Sequence, residues 1–238
     1  MKKPPIVVLC GGKGVRIRDY SGDIPKPLIP LGNKSILELS LEQYYAQGFR
    51  DYLFCVGYRG EMIREKFQSW RGARCRFDNA GEDASMLKRI HAVRNQLTDD
   101  FIVVYGDTVN KVDLNELCRA HRRSDKLMTM VVSRLRIPFG LIEKQGDTIS
   151  RFREKPEFDY YIGTLAVDAE IFNFVSEDML RSPDSKGLLE LFHRLIERGE
   201  VGTYSFEGLQ ITFNTPLEHT TAEQQLTHYY TYIEGETT

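Results

Sequence analysis

The feature that most constrains this chain is an apolar segment that leads directly into a glycine-rich loop near the N-terminus. Residues 6–9 read Ile-Val-Val-Leu, and Gly11, Gly12 and Gly14 follow within the next five positions. A short run of this kind is typical of a buried parallel strand, and glycines after it allow the backbone to approach a ligand closely. Exposed backbone N–H groups in such a loop bind anions. The segment therefore predicts a phosphate-binding loop after the first strand.

Two cationic side chains support this interpretation. Arg16 follows the loop, and Lys26 lies between Pro25 and Pro27, which restrict the backbone on both sides of the lysine. The loop matches neither G-x-x-x-x-G-K-[ST] nor G-x-G-x-x-G, so a Walker-type ATPase and an ordinary dinucleotide-binding fold are disfavoured. The alternative is a simple glycine turn, which the two cations disfavour.

The composition indicates an ordinary globular protein. The 238 residues are 41% hydrophobic, enough for the core of one large α/β domain or two small ones. The net charge of −2 provides no general field for nucleic acid or an anionic membrane. The four cysteines form no C-x-x-C pair, and no apolar run approaches the roughly 20 residues of a membrane span. We therefore expect no nucleic-acid partner, no membrane partner and a cytoplasmic location.

Strands alternate with helices as far as residue 110. This pattern predicts an α/β, Rossmann-like, doubly wound and mostly parallel sheet with helices on both faces. From Lys126 onwards the pattern predicts a smaller mixed region. It contains a hairpin around residues 146–147, an amphipathic helix over 169–175, a loop over 176–186, a closing pair of strands over 202–206 and 209–213, and a terminal helix over 222–233. We expect a single domain, residues 1–238, with a nucleotide-binding half (1–125) and an acceptor-binding half (126–238).

The predicted strand ends indicate where a ligand would bind. The glycine loop follows the first strand, and Asp107 follows the apolar strand over 101–105. Open α/β sheets bind ligands at the carboxyl ends of their strands. Asp107 in a simple turn is the alternative.

Further segments extend the pattern along nearly the whole chain: residues 55–60 (Cys-Val-Gly-Tyr-Arg-Gly), 63–67, 87–90, 105–107, 139–140, 152–156 (Phe-Arg-Glu-Lys-Pro) and 213–215. Together with the glycine loop and residues 25–28, they resemble the motifs of the sugar-1-phosphate nucleotidylyltransferases. The resemblance is strongest to the glucose-1-phosphate cytidylyltransferase type.

The resemblance implies a role for each matching residue. The nucleotide would be bound by Leu9, Gly11, Gly12, Lys13, Gly14, Arg16, Lys26 and Gly106. Arg16 would bind the triphosphate and Lys26 would bridge the reacting phosphates, so these two are the expected catalytic residues. Asp107 and Asn214 would hold Mg²⁺. The acceptor would be bound by Gly140, Glu154, Lys155 and Gly163, with Lys155 against its phosphate.

The sequence departs from the family pattern at several positions. Val15 replaces a hydroxyl residue beside the phosphates, and Asn214 replaces a metal-binding aspartate. Asn214 keeps an oxygen for magnesium but adds no negative charge. Ile162 stands where an asparagine would contact the sugar, and residues 83–86 replace a T-G-G-R segment near the nucleobase.

The implied function is a Mg²⁺-dependent nucleotidyltransferase that moves CMP from CTP, or another nucleoside monophosphate, onto a sugar 1-phosphate and releases pyrophosphate. One alternative is a cytidylyltransferase for a non-sugar phosphate or phosphonate. Another is a non-catalytic regulatory subunit that binds nucleotide sugars. A homo-oligomer is compatible with the sequence, which does not fix the oligomeric state.

Overall fold

A seven-stranded mixed sheet forms the centre of the fold. The computed structural model describes residues 3–17 and 22–236, with side chains as far as residue 227. Its strands are β1 (Ile6–Leu9), β2 (Pro30–Leu31), β3 (Lys34–Ser35), β4 (Asp51–Val56), β5 (Arg74–Asn79), β6 (Phe101–Tyr105), β7 (Thr108–Asn110), β8 (Met128–Arg136), β9 (Leu141–Gln145), β10 (Thr148–Arg153), β11 (Glu157–Val167), β12 (Val201–Ser205) and β13 (Gln210–Thr212).

Helices connect most of these strands. They are α1 (Ile36–Ala46), α2 (Gly60–Phe67), α3 (Met86–Ala92), α4 (Leu114–Ser124), α5 (Glu177–Arg181), α6 (Lys186–Glu197) and α7 (Pro216–Glu236). Short 3₁₀ helices cover Val15–Ile17, Lys26–Leu28, Trp70–Gly72, Arg94–Gln96 and Ala169–Phe174. Among the described residues, no helix combines the length and the apolar character that a membrane span requires.

The main sheet has the strand order β12-β8-β11-β6-β1-β4-β5. All of its strands run in one direction except β11, which is antiparallel to both β6 and β8. The chain leaves β1 towards β4 and β5 and later returns to β6 on the other side of β1. The carboxyl ends of β1 and β6 therefore flank a topological switch point, where sheets of this kind bind ligands.

Apolar side chains cover both faces of the sheet. Ile6 and Val8 of β1 belong to a buried cluster that includes residues of α1, α2 and α4. Val7 points to the opposite face and belongs to a cluster with α3, α5 and α6. A strand buried on both faces reads as a continuous apolar run, which explains the sequence of β1. The predicted Rossmann-like α/β fold with helices on both faces is confirmed.

A third apolar cluster lies beside the sheet. It joins α1 to β2, β7, β13 and α7, and its members include Leu31, Val109, Ile211 and Phe213. Strand β13 pairs with β7 in antiparallel orientation, and β7 begins one residue after Asp107. This pairing brings the segment around residue 214 to the carboxyl end of β6, although the two are about a hundred positions apart in the sequence.

Several expectations for the secondary structure were wrong or incomplete. The predicted closing pair of strands does not form, because β12 pairs with β8 and the other strand pairs with β7. The expected loop over 176–186 contains α5, and residues 169–174 form a 3₁₀ helix. Helix α4 was not predicted, although Asp113 caps its N-terminus through hydrogen bonds from the backbone N–H groups of Asn115 and Glu116.

Candidate active site

A cavity of about 780 Å³ opens at the switch point between β1 and β6. Nine of the predicted site residues line it: Leu9, Gly11, Gly12, Lys13, Gly14, Arg16, Lys26, Asp107 and Asn214. The opposite wall comes from residues 82–86, Tyr105 and residues 183–185. Residues 83–86 were expected near the nucleobase, and Tyr105 belongs to the matching motif over 105–107, but Glu82 and residues 183–185 were not predicted.

The glycine loop begins where β1 ends. Gly14 has a φ of +57°, and a Cβ added there would lie 3.3 Å from Cβ of Lys26. An L side chain at this position would be strained and would crowd the lysine. Lys26 itself is only 8% exposed and lies in the 3₁₀ helix after Pro25. The loop and the lysine therefore form one tightly packed unit.

Arg89 of α3 holds the glycine loop in place through hydrogen bonds. This buried arginine of α3 donates hydrogen bonds from Nη2 to the carbonyl oxygens of Gly11 at 3.1 Å and Glu82 at 3.0 Å, and from Nη1 to that of Val56. A Cβ on Gly11 would lie 2.4 Å from Arg89 Cζ, so only glycine fits beside the guanidinium. Burial lowers the pKa of Arg89 from its usual value. This one side chain therefore links the glycine loop, the end of β4 and the segment that begins at Glu82.

Lys26 is the cation at the centre of the site. Its Nζ lies 2.6 Å from Oδ2 of Asp107 and 3.1 Å from Oδ1 of Asn214. Asp107 is in turn fixed by β13, because Oγ1 of Thr212 donates to its carbonyl oxygen at 3.2 Å. The two side chains predicted to bind a metal therefore both contact the ammonium group of Lys26.

Asn214 connects this centre to the second predicted catalytic residue. Nη2 of Arg16 donates to Asn214 Oδ1 at 3.0 Å. On its other side, Asn214 donates through its backbone N–H to Oε2 of Glu218 at 2.6 Å and through Nδ2 at 3.4 Å. Glu218 was not among the site residues predicted from the sequence. Its signal was present as Thr215-x-x-Glu218, a pattern typical of a helix N-terminus.

At the cavity mouth, Lys13 pairs with Asp83. Its Nζ lies 2.6 Å from Oδ1 of Asp83, and this hydrogen bond lowers the pKa of the exposed carboxyl group. The pair joins the glycine loop to the segment over residues 82–86. A nucleobase bound between these two walls would lie beside a charged pair rather than beside glycine backbone.

The predicted acceptor residues lie elsewhere. Gly140, Glu154 and Lys155 are exposed near the base of the β9–β10 hairpin, and the Lys155 Nζ lies 4.0 Å from Oε1 of Glu154. Gly163 has a φ of +83° and packs against the ring of Tyr105, behind the cavity wall. None of these four belongs to the described lining of the cavity. Their role in binding an acceptor stays a prediction.

Gly106 is buried and has a packing role. A Cβ there would lie 2.9 Å from Cβ of Cys10, and its N–H donates to the carbonyl oxygen of Leu9 at 2.9 Å. The residue allows the end of β6 to approach the end of β1. It does not belong to the described cavity lining, so contact with a nucleotide stays a prediction.

Comparison with known proteins agrees with this architecture. The sheet topology and the position of the cavity define a Rossmann-like α/β protein with a cavity at the switch point. The chain belongs to the nucleotidyl transferase family, whose model matches residues 6–209. The family-level resemblance stated from the sequence is therefore confirmed.

Individual relatives are distant but cover most of the chain. A Bacillus subtilis protein described as "Probable glucose-1-phosphate cytidylyltransferase" is 25% identical over 88% of this chain and 91% of its own length. The mannose-1-phosphate guanyltransferase of Yarrowia lipolytica is 27% identical over 89% of this chain and 61% of its own length. The crystal structure of HddC from Yersinia pseudotuberculosis has a TM-score of 0.74, at 19% identity over 94% of this chain and 100% of that one. The last comparison shows the fold alone.

Proposed function

We propose that this protein transfers a nucleoside monophosphate, CMP from CTP, onto a sugar 1-phosphate and releases pyrophosphate. The proposal rests on one observation. The side chains of Arg16, Lys26, Asp107 and Asn214 contact one another in the cavity beside the glycine loop. Two cations, one carboxylate and an anion-binding loop in one cavity suit a reaction in which two phosphate groups meet.

The reaction needs positioning and charge neutralisation more than covalent chemistry. An oxygen of the acceptor phosphate forms a bond to the α-phosphorus of the nucleotide, and the bond from that phosphorus to the pyrophosphate oxygen breaks. The loop N–H groups and Arg16 bind the triphosphate, and Lys26 stabilises the charge that develops on the transferred phosphoryl group. Because Lys26 is nearly buried and packed against Gly14, its ammonium group is held in place before the substrates bind.

Asp107 and Asn214 are the residues that would hold Mg²⁺. An oxygen of each side chain contacts the ammonium group of Lys26, and oxygen atoms are the ligands that magnesium prefers. No cluster of three or more His, Cys, Asp or Glu side chains is found among the described residues, but magnesium commonly uses one or two protein ligands and takes the rest from phosphates and water. When bound, the ion would neutralise phosphate charge and orient the reacting groups.

The choice of cytidine rests on similarity. The segment over 55–60, which resembles the cytidylyl branch, touches the glycine loop directly through a hydrogen bond from Tyr58 N–H to the carbonyl oxygen of Gly11 at 3.3 Å. The Bacillus subtilis relative carries the cytidylyltransferase description. Relatives described as a guanyltransferase and a uridylyltransferase, each 27% identical, make GTP and UTP the competitors in any test.

A second acceptor class is favoured by Ile162. Its side chain is 2% exposed and belongs to the core cluster on the α1, α2 and α4 face of the sheet. No side chain at this position is available to bind a sugar hydroxyl. A phosphate or phosphonate without the full set of sugar hydroxyls is therefore the alternative acceptor.

The test is a pyrophosphate-release assay with each of the four nucleoside triphosphates and a panel of acceptors. The proposal predicts release that requires Mg²⁺, is fastest with CTP and a sugar 1-phosphate, and is lost in Lys26→Ala. Lys34→Ala is a matched control outside the cavity. Release with phosphonates alone would favour the second acceptor class, and nucleotide binding without release for any acceptor would favour a regulatory subunit.

A further inference from the structure

Asn214 is held between cations on one side and a carboxylate on the other. Its Oδ1 accepts hydrogen bonds from Arg16 and Lys26, whereas its Nδ2 and backbone N–H both donate to Oε2 of Glu218. These contacts agree on a single orientation of the amide. The oxygen faces the cations and Asp107, and the amino group faces away from them.

This arrangement explains why an amide suits this position. The Asn214 Nδ2 lies 3.4 Å from a carboxylate oxygen of Glu218, and an aspartate at position 214 would place a second carboxylate oxygen there. Two carboxylates at this distance repel each other, whereas the amide donates a hydrogen bond. Asn214 and Glu218 therefore act as a pair: the carboxylate of Glu218 explains why an amide, and not a second carboxylate, suits position 214.

The charges of the cluster support the same conclusion. The cluster consists of Asn214 and the four charged residues around it. The positive charges of Arg16 and Lys26 are balanced by the negative charges of Asp107 and Glu218. Asp107 contacts Lys26 directly, and Glu218 is linked to both cations through Asn214. Without Glu218 the cluster would carry a net positive charge and would repel a divalent cation. The hydrogen bond from Nδ2 to the carboxylate also polarises the amide and increases the negative charge on Oδ1.

We infer that Glu218 is a positioning residue for divalent-cation binding: it aims Asn214 Oδ1 at the site shared with Asp107 and supplies the negative charge that an aspartate ligand would have carried. The inference rests on the proposed function, because Asn214 is a metal ligand only in that reaction. It adds a residue from the first turn of α7 to the site formed by Arg16, Lys26, Asp107 and Asn214.

A purely structural role for Glu218 predicts different behaviour. Its backbone N–H donates to Oγ1 of Thr215 at 3.3 Å, and a carboxylate in the first turn stabilises a helix N-terminus. Loss of this capping would lower the stability of the protein. It would change the affinity for a nucleotide equally with and without metal.

The experiment measures how strongly Mg²⁺ strengthens nucleotide binding. Isothermal titration of the full chain gives the affinity for CTP, or for whichever nucleoside triphosphate binds most tightly, with saturating Mg²⁺ and again in EDTA. The ratio of the two affinities is compared among the wild type, Glu218→Gln, Asn214→Asp and the double variant. Glutamine keeps the size and one acceptor oxygen of Glu218. Glu223→Gln, an exposed position on the same helix, is the matched control.

The inference predicts that Glu218→Gln lowers the ratio about tenfold, as removal of an outer partner of a metal ligand commonly does. Asn214→Asp alone lowers thermal stability without raising the ratio, and the double variant regains the wild-type ratio within about threefold, because the aspartate now carries the charge itself. Glu223→Gln behaves as the wild type.

The failures can be told apart. A wild-type protein that binds the nucleotide no more tightly with Mg²⁺ than in EDTA contradicts the metal site of the proposed function. A wild type with a large ratio that Glu218→Gln retains, or a double variant that fails to regain it while remaining folded, overturns the inference and leaves the proposed function intact.

Discussion

Arg89 offers the sharpest test of how the site is assembled. Its guanidinium group donates to the carbonyl oxygens of Gly11, Val56 and Glu82 and lies within a space that Gly11 leaves open. Arg89→Met keeps most of the side-chain length but removes every one of these hydrogen bonds. We expect the substitution to destabilise the fold and to release the loop from the floor of the cavity.

The expected magnitude follows from the contacts. A buried acceptor left without a partner costs about 1–3 kcal/mol. The carbonyl oxygen of Gly11 retains a hydrogen bond from Tyr58 N–H, and Glu82 is an exposed residue, so the main loss is at the buried Val56. Burial also penalises the charged guanidinium of Arg89, as its lowered pKa shows, and methionine removes that penalty. The net loss should be about 1–3 kcal/mol of unfolding free energy, which for a chain of this size is a fall in Tm of about 2–12 °C.

Urea and thermal unfolding followed by circular dichroism measure this loss. Arg94→Met is the matched control, because Arg94 is exposed and should change stability by less than about 0.5 kcal/mol. Arg89→Lys keeps the charge but loses the planar fork, so its stability should lie between those of Arg89→Met and the wild type. The reasoning is refuted if Arg89→Met and Arg94→Met are equally stable.

Two further predictions concern the loop and the thiols. Gly14→Ala should lower stability by about 1–2 kcal/mol in urea unfolding and should slow turnover, because alanine is strained at φ +57° and its Cβ would crowd Lys26; unchanged values for both would contradict the tight packing of loop and lysine. Burial raises the pKa of Cys10 above its usual range and that of Cys55 to about 12, so neither thiol should react with Ellman's reagent at pH 8 until the protein unfolds. Half-buried Cys75, with a pKa raised by burial to about 11, should react slowly and before them, and rapid labelling of Cys10 in the folded protein would contradict its burial.

The sequence predicted the parts of the site whose signals are local. The first strand, the glycine loop and the strand before Asp107 each consist of an apolar run with a turn immediately after it, and their side chains meet because parallel strands end at one edge of the sheet. The family resemblance added Asn214, which no local pattern would have brought to Lys26. The structure places all of these residues in one cavity.

No site role was predicted for Arg89 or Glu218, for different reasons. Arg89 lies between the buried residues Leu87 and Ile90, and a charged residue on a buried helix face is a signal that the apolar pattern alone ignores. Glu218 was missed because the terminal helix was predicted to begin at residue 222, whereas it begins at Pro216. The acceptor half was predicted by motif alone, and Lys155 lies in an exposed segment between β10 and β11, outside the cavity.

The central claim is that the nucleotide is attacked at its α-phosphorus by the acceptor phosphate. The most direct test incubates the protein with Mg²⁺, a sugar 1-phosphate and CTP labelled with ³²P at either the α or the γ position. The account predicts that the α label enters a nucleotide–acceptor product and the γ label leaves as pyrophosphate, both in amounts that depend on Lys26. Recovery of the γ label on the acceptor, or of the α label only in free CMP or CDP, would contradict it.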